Sequence, residues 1–364
     1  MSRRPFISLS RRTVAGVASG HPRPLDPVVT LSRIFRVVLA LLAAFLMIGV
    51  VALLTGPGDL SPLSLVRRFF MLLQGAGAGL ESAEKTILFS IRLPRILFAG
   101  VVGAALSTAG VVFQAVLRNP LADPYILGVS GGAAVGAIIG IIIGAGAIPF
   151  GIAGLSFLGA LLTIFTIFGV AGSRTDGQSN TLLLTGVIIN AFFSAVIMFL
   201  ISISTSDRLH SVFFWLMGDL SLAEKGEALV AGAFLLAGFI VMLRYARSLN
   251  LLLTGEETAM QLGVDVEKTK KILLITASMT TAAAVSVSGT IGFVGLIIPH
   301  LLRLTLGPDH RLLLPAAFLF GATFLTAADT VARSVMAPTE LPVGVVTALC
   351  GAPYFIYLLY RRTV

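Results

Sequence analysis

The sequence predicts an all-α polytopic membrane protein with about ten transmembrane helices. Three observations carry this. Hydrophobic types make up 56% of the 364 residues and charged types only 12%, against roughly 25% charged in a soluble domain. The mean hydropathy of +0.98 leaves too little polar surface to cover a water-soluble globule of this size. Apolar runs long enough to cross a bilayer, about 20 residues each, recur from residue 34 to residue 360. Other classes fail on the same numbers. The 38 glycines have no triplet period, and a single cysteine, Cys350, excludes a disulfide scaffold. The net charge of +9 does not point to nucleic acid, because the basic residues sit in short loops between apolar runs.

In chain order, residues 1–33 read as a disordered basic cytoplasmic tail with Arg3, Arg4, Arg11, Arg12, Arg23 and Arg33. Residues 34–362 form the membrane domain. Its candidate spans are 34–55, 93–117, 126–147, 151–171, 182–203, 228–243, 272–292, 312–334 and 342–360. The stretch 294–306 holds Pro299 and is too short for a straight crossing. It counts as an irregular tenth helix, tolerable where other protein covers its backbone. With the N-terminus inside, 18 lysines and arginines fall on the cytoplasmic side and 8 outside, which puts both termini in the cytoplasm.

Residues 104–110, Ala-Ala-Leu-Ser-Thr-Ala-Gly, return at 283–289 as Ala-Ala-Val-Ser-Val-Ser-Gly. The two copies begin five helices apart, in opposite directions across the membrane, as in transporters built from inverted repeats. Gly128, Gly131, Gly132, Gly136, Gly140 and Gly144 make a small-residue stripe that reads as a packing face. Three segments lie outside the spans. Residues 56–92 are an outer stretch of mixed character. Residues 204–227 contain Trp215 in a short interfacial helix. Residues 244–271 are the largest internal loop between spans.

Chemistry-bearing motifs are sparse. No lysine follows a glycine in a phosphate-binding loop, so there is no ATP site. The four histidines lie far apart, without metal-ligand spacing. Cys350 reads as packing, and no nucleophile has an organised base. Within 250–264, Thr254 is placed to cap a short helix with Glu256 and Glu257 in its first turn. Ala259, Met260, Leu262 and Gly263 follow as a small apolar face, and Gly263 ends the helix. This helix reads either as a solvated connector or as a docking knob for a partner.

Several runs carry a resemblance. They are Arg92-Leu93-Pro94-Arg95, Asn119-Pro120-Leu121-Ala122-Asp123-Pro124, Leu127 to Ala133, Gly255 to Gly263, Gly292 to His300, Asp309-His310-Arg311 and Glu340-Leu341-Pro342-Val343-Gly344. In this order they resemble the permease family of iron-siderophore, haem and cobalamin ABC importers, the FecCD type, over about residues 34–362. The resemblance implies a ten-helix permease that forms a homodimer in the inner membrane. The dimer would sit on two copies of a separate ATPase, and a periplasmic or lipid-anchored binding protein would deliver the cargo. ATP and magnesium would then bind the partner ATPase, and this chain would hold no cofactor and catalyse no reaction of its own. Residue by residue, the resemblance implies binding-protein docking at Arg92, Arg95 and Arg333. It implies a cytoplasmic gate at Asn119, Leu121, Ser179 and Asn180, and an ATPase coupling helix at Gly255, Glu256, Glu257, Ala259, Met260, Leu262 and Gly263. Arg333 has a second, purely structural reading, an i,i+4 pair with Asp329. The expected cargo is a ferric siderophore-type chelate, with cobalamin or haem as the alternative. A self-contained secondary transporter is the rival class. It needs an intramembrane carboxylate, and Asp329 is the acidic residue deep enough to serve.

Overall fold

The computed structural model describes residues 29–56, 82–171, 178–221 and 224–363, so the expected tail lies almost wholly outside the described residues. All regular structure among the described residues is helical. Among the described residues, seven helices are long and apolar enough to cross a membrane, and three shorter apolar ones, Val129–Ile143, Val294–Leu306 and Val343–Tyr357, fill the remaining expected positions.

The first helix, α1 (Leu31–Leu54), starts three residues earlier than the hydropathy predicts, because the Thr30 hydroxyl accepts the Arg33 amide and caps it. The second, α2 (Thr86–Val116), also starts earlier than residue 93. Its first seven residues, Thr86–Arg92, wind as a π-helix, and the Leu93 amide donates back to the Leu88 carbonyl. This turn occupies the end of the expected outer stretch.

The core is built on α2, which is buried almost from end to end, with Phe98, Leu106 and Phe113 fully enclosed. Around it pack α7 (Lys225–Arg244), α10 (Val266–Ser288), α11 (Val294–Leu306) and α12 (His310–Ser334). Backbone-to-backbone contact sets the spacing. A Cβ on Gly110 would lie 2.0 Å from the Gly295 carbonyl oxygen, and one on Gly103 would lie 2.2 Å from that of Gly321. Pro299 has no amide to give Gly295, four residues earlier in α11. The Gln114 side chain of α2 donates to that carbonyl instead, at 3.2 Å. Protein does cover the irregular backbone of the short helix.

The third span, α3 (Val129–Ile143), is shorter than the expected 126–147. Gly128 and Gly144 flank it with φ of 78° and 77°, so these two glycines of the stripe end the helix rather than pack it. Gly132 and Gly136 do pack. Added Cβ atoms would meet Thr163 and the Leu155 carbonyl of α4 (Gly151–Ala171). The two copies of the internal repeat diverge locally. Residues 104–110 continue in helix to Val116, whereas the second copy breaks at Gly289 and restarts at Val294. The predicted interfacial helix is α6 (Ser206–Met217). Its Leu216 carbonyl accepts the Thr290 hydroxyl, which ties it to that break.

The outer helices present apolar faces. On α1, Phe35, Leu46 and Met47 are exposed, and on α5 (Gln178–Ser202), Phe192, Met198 and Phe199. Helices apolar all round, with faces uncovered by protein, are suited to hydrocarbon. The last helix, α13 (Val343–Thr363), carries exposed Leu349 and Ile356, and Cys350 is exposed there rather than packed.

Candidate functional sites at the two ends of the bundle

At one end, the three expected docking arginines form an internal network. Arg95 grips Asp329 through Nε and Nη2 at 2.9–3.1 Å and reaches Glu340 through Nη1 at 2.7 Å. Arg333 sits 3.2 Å from the same Asp329 carboxylate, one helical turn away, which is the pair read from the sequence. Its Nε meets the carboxylate at ion-pair distance without hydrogen-bond alignment, while Nη2 donates to the Ala52 carbonyl at 2.7 Å. Arg92 donates to the Leu53 and Gly56 carbonyls at 2.8 and 3.3 Å. The bonds to Ala52 and Leu53 satisfy carbonyls in the last turn of α1, which its own helix leaves open, and the bond to Gly56 holds the segment just past it. Arg92 and Arg333 are each only 3% exposed, with their guanidinium groups bonded to carbonyls of this chain. Asp329, the candidate coupling carboxylate of the rival class, is held by two arginines.

At the other end lies the short helix α9 (Glu256–Gln261), between α8 (Ala246–Leu253) and α10. Thr254 does not cap it. Thr254 closes α8 instead, with its hydroxyl donating to the Leu251 carbonyl, and Gly255 at φ 126° opens α9. Gly263, at φ 84°, terminates it as expected. The predicted apolar face is divided. Ala259 is fully buried against Leu252 and Val266, while Met260 and Leu262 are 55% and 61% exposed. Glu257 is exposed. Glu256 is fixed by Lys270 of α10 at 2.6 Å and by Arg118, just past α2, at 3.9 Å.

Beside α9, Asn119 Oδ1 accepts the Leu121 amide at 2.9 Å, so these two residues of the expected gate share one turn, with Leu121 exposed. Ser179 and Asn180 fall in the first turn of α5, not in a loop, and their side chains lie outside the described residues. Asp123 caps the next turn through the Tyr125 amide at 2.8 Å. Its burial raises its pKa to about 6 against the lowering effect of that bond. Asp309 caps α12 and binds Arg311, while Asn250 of α8 bonds both Asp309 and the His310 amide. Burial would raise Asp309, but the Arg311 and Asn250 bonds prevail and hold it at about 2.

Sequence reasoning assigned no role to Arg118, Lys270 or Asn250. Asp309-His310-Arg311 stood among the quoted runs, but a contact across 59 residues, such as that from Asn250, leaves no local signal.

Together, the fold and its two ends define a multi-pass helical permease with no nucleotide loop of its own. Residues 41–361 match the FecCD transport family, and the chain belongs to that family of ABC importer permeases. It is 47% identical to the cobalamin import system permease protein BtuC of Halobacterium salinarum, over 79% of this chain and 76% of that one. It is 42% identical to the hemin transport system permease protein HmuU of Yersinia pestis, over 90% and 97%. A solved structure described as a metal-chelate type ABC transporter in an inward-facing conformation superposes with a TM-score of 0.75 at 33% identity, covering 90% of this chain and 99% of that one.

Proposed function

We propose that this permease moves a ferric siderophore-type chelate inward across the inner membrane, powered by a separate ATPase that docks on α9. The observation that carries the docking is the division of α9. Ala259 is locked into the bundle while Met260 and Leu262 project from it, which anchors the helix and leaves an apolar knob for a partner. Arg118, Arg244, Arg247, Lys268 and Lys271 surround that end in sequence, which supports a cytoplasmic assignment for it and, with the charge count, for both termini. A homodimer with two ATPase subunits fits the family. On the opposite end, the arginine network would support the surface on which a binding protein delivers cargo, by holding the ends of α1, α2 and α12 beneath it.

Relatives named for hemin transport and for probable iron chelatin transport support a metal-chelate cargo. Cobalamin is the second reading, favoured by the 47% identity to a cobalamin permease. The test is uptake into proteoliposomes holding the permease and its ATPase, with the binding protein supplied outside. A ferric hydroxamate siderophore, hemin and cyanocobalamin are offered separately. ATP-dependent accumulation of the siderophore supports the reading. Accumulation of cobalamin alone replaces it, and accumulation without ATP refutes the ABC mechanism for this chain.

A further inference from the structure

Arg118 has a left-handed backbone, with φ of 50°. That conformation is routine for glycine and disfavoured for a long side chain. It falls immediately after α2, where a helix commonly ends on glycine. The sequence instead places there one of its longest cations. A backbone outlier of this kind persists where the surroundings fix it.

The side chain spans two elements at once. Its Nη2 donates to the Leu252 carbonyl at 2.8 Å, closing the end of α8, and lies 3.9 Å from Glu256 in the first turn of α9. Lys270 holds the same carboxylate from α10 at 2.6 Å. Glycine or asparagine would suit the backbone at 118 and reach neither partner. The other end of α2 carries Arg92 and Arg95, bonded to α1 and α12. From Arg92 to Val116 the helix is continuous, about 36 Å at 1.5 Å per residue, and Arg118 lies two residues past its end. Its middle is buried and seated on glycine contacts.

We propose that Arg118 is the positioning residue that joins α9 to α2, so that a displacement of α9 by the ATPase moves α2 and reaches the arginine network at its far end. This rests on the docking of an ATPase at α9. Asn119 and Leu121 follow Arg118 directly, so the turn that holds them moves with the same joint. Glu256 is the counter-ion within α9, at ion-pair distance from Arg118, and Lys270 keeps it oriented.

The test uses the full-length chain purified with its ATPase in detergent. Hydrogen–deuterium exchange is followed in peptides covering 86–97 and 253–262, with and without ATP and vanadate. In the wild-type complex both regions change. In Arg118→Gly and Arg118→Asn, which suit the backbone, 253–262 still changes, while the change at 86–97 falls by about fivefold or more, the lower range of an ordinary coupling energy. Arg118→Lys restores part of it. Equal responses in wild type and both variants overturn the proposal. So does a wild-type complex in which 86–97 never responds, and so does failure of both variants to fold, which would make Arg118 a determinant of the fold alone. If no ATPase binds the wild-type chain, the functional reading itself falls and takes the joint with it.

Discussion

Replacing Asp329 with alanine leaves two guanidinium groups without their shared carboxylate. Arg333 is 3% exposed and Asp329 1%. Removing one partner of a buried pair costs about 3–5 kcal/mol, because the remaining charge is stranded away from water. The geometry apportions that figure. Arg95 keeps Glu340 at 2.7 Å and is 12% exposed at its side chain, so it is partly compensated. Arg333 keeps only its bond to the Ala52 carbonyl, and it is the charge that sets the cost. Asp329→Ala is therefore expected at the lower part of the range, about 3 kcal/mol. Asp329→Ala with Arg333→Met removes the stranded charge and recovers most of that loss. Glu340→Gln, at a carboxylate one-third exposed, costs about 1 kcal/mol or less. The assay is thermal unfolding in detergent, read by fluorescence-detected size exclusion, with all variants in one detergent. A single Asp329→Ala variant as stable as wild type, or a double variant less stable than the single, refutes the network as a stabilising element.

Charge on α9 separates its two faces. Ala259→Asp puts a carboxylate against Leu252 and Val266 and is expected to loosen α9 itself, whereas Met260→Asp leaves the fold intact and weakens ATPase co-purification by about 1–3 kcal/mol, roughly 5- to 150-fold. Identical behaviour of the two variants in melting and pull-down would contradict the division. Gly110→Ala forces a methyl to 2.0 Å from the Gly295 carbonyl and is expected to cost about 1–3 kcal/mol of overpacking, read by the same melting assay. Asp309 and Asp123 predict opposite pH responses. Asp309 lies at about 2 in the folded chain, below its ordinary value near 3.8, so its stabilisation is complete above pH 4 and lost as pH falls toward 2. Asp123 is raised to about 6, so its contribution is complete below pH 4 and lost as pH rises through 6. Melting of Asp123→Asn against wild type at pH 5 and pH 8 should show a relative gain for the variant at pH 8, and no change in the difference would refute the burial of that charge.

Helix existence was legible because spans need long apolar runs and the chain has little else. What each helix faces was not legible, for a physical reason. Both α1 and α2 are strongly apolar, yet the most apolar window of α1 is 6% buried and that of α2 is 89% buried. Lipid and protein interior select the same side chains, so hydropathy cannot tell them apart. Small residues carry the missing information in part, since Gly103 and Gly110 sit where backbones touch. Helix ends were read less well. Thr254 and Gly255 are adjacent, and either can precede a helix. Only the position of Leu251, whose carbonyl takes the Thr254 hydroxyl, decides that Thr254 closes α8. The sequence marks Arg92, Arg95 and Arg333 as unusual, but the carbonyls that hold Arg92 and Arg333, those of Ala52 and Leu53 in α1 and of Gly56 just past it, are 36 to 281 residues away.

The placement of charge along α2 ties these observations together. Its interior between Arg95 and Arg118 has no ionised group, and its buried polar side chains are neutral and bonded to carbonyls. Ser107 donates to Ala317, Thr108 to Ala104, and Gln114 to Gly295 and Leu296. The Ser107 and Gln114 bonds fix the helix against its neighbours, and the Thr108 bond closes within the helix, all without stranding a charge. Gln114 also accepts from Arg303 of α11 at 2.6 Å, so even the nearest cation is supplied by another helix. Ionic contacts are reserved for the two ends, buried around Asp329 at one and part-exposed at Glu256 at the other. A helix held by neutral groups along its length and by arginines at its two ends carries no stranded charge between them. That division puts the ionic contacts where work done at α9 would enter the helix and where it would appear at the opposite face.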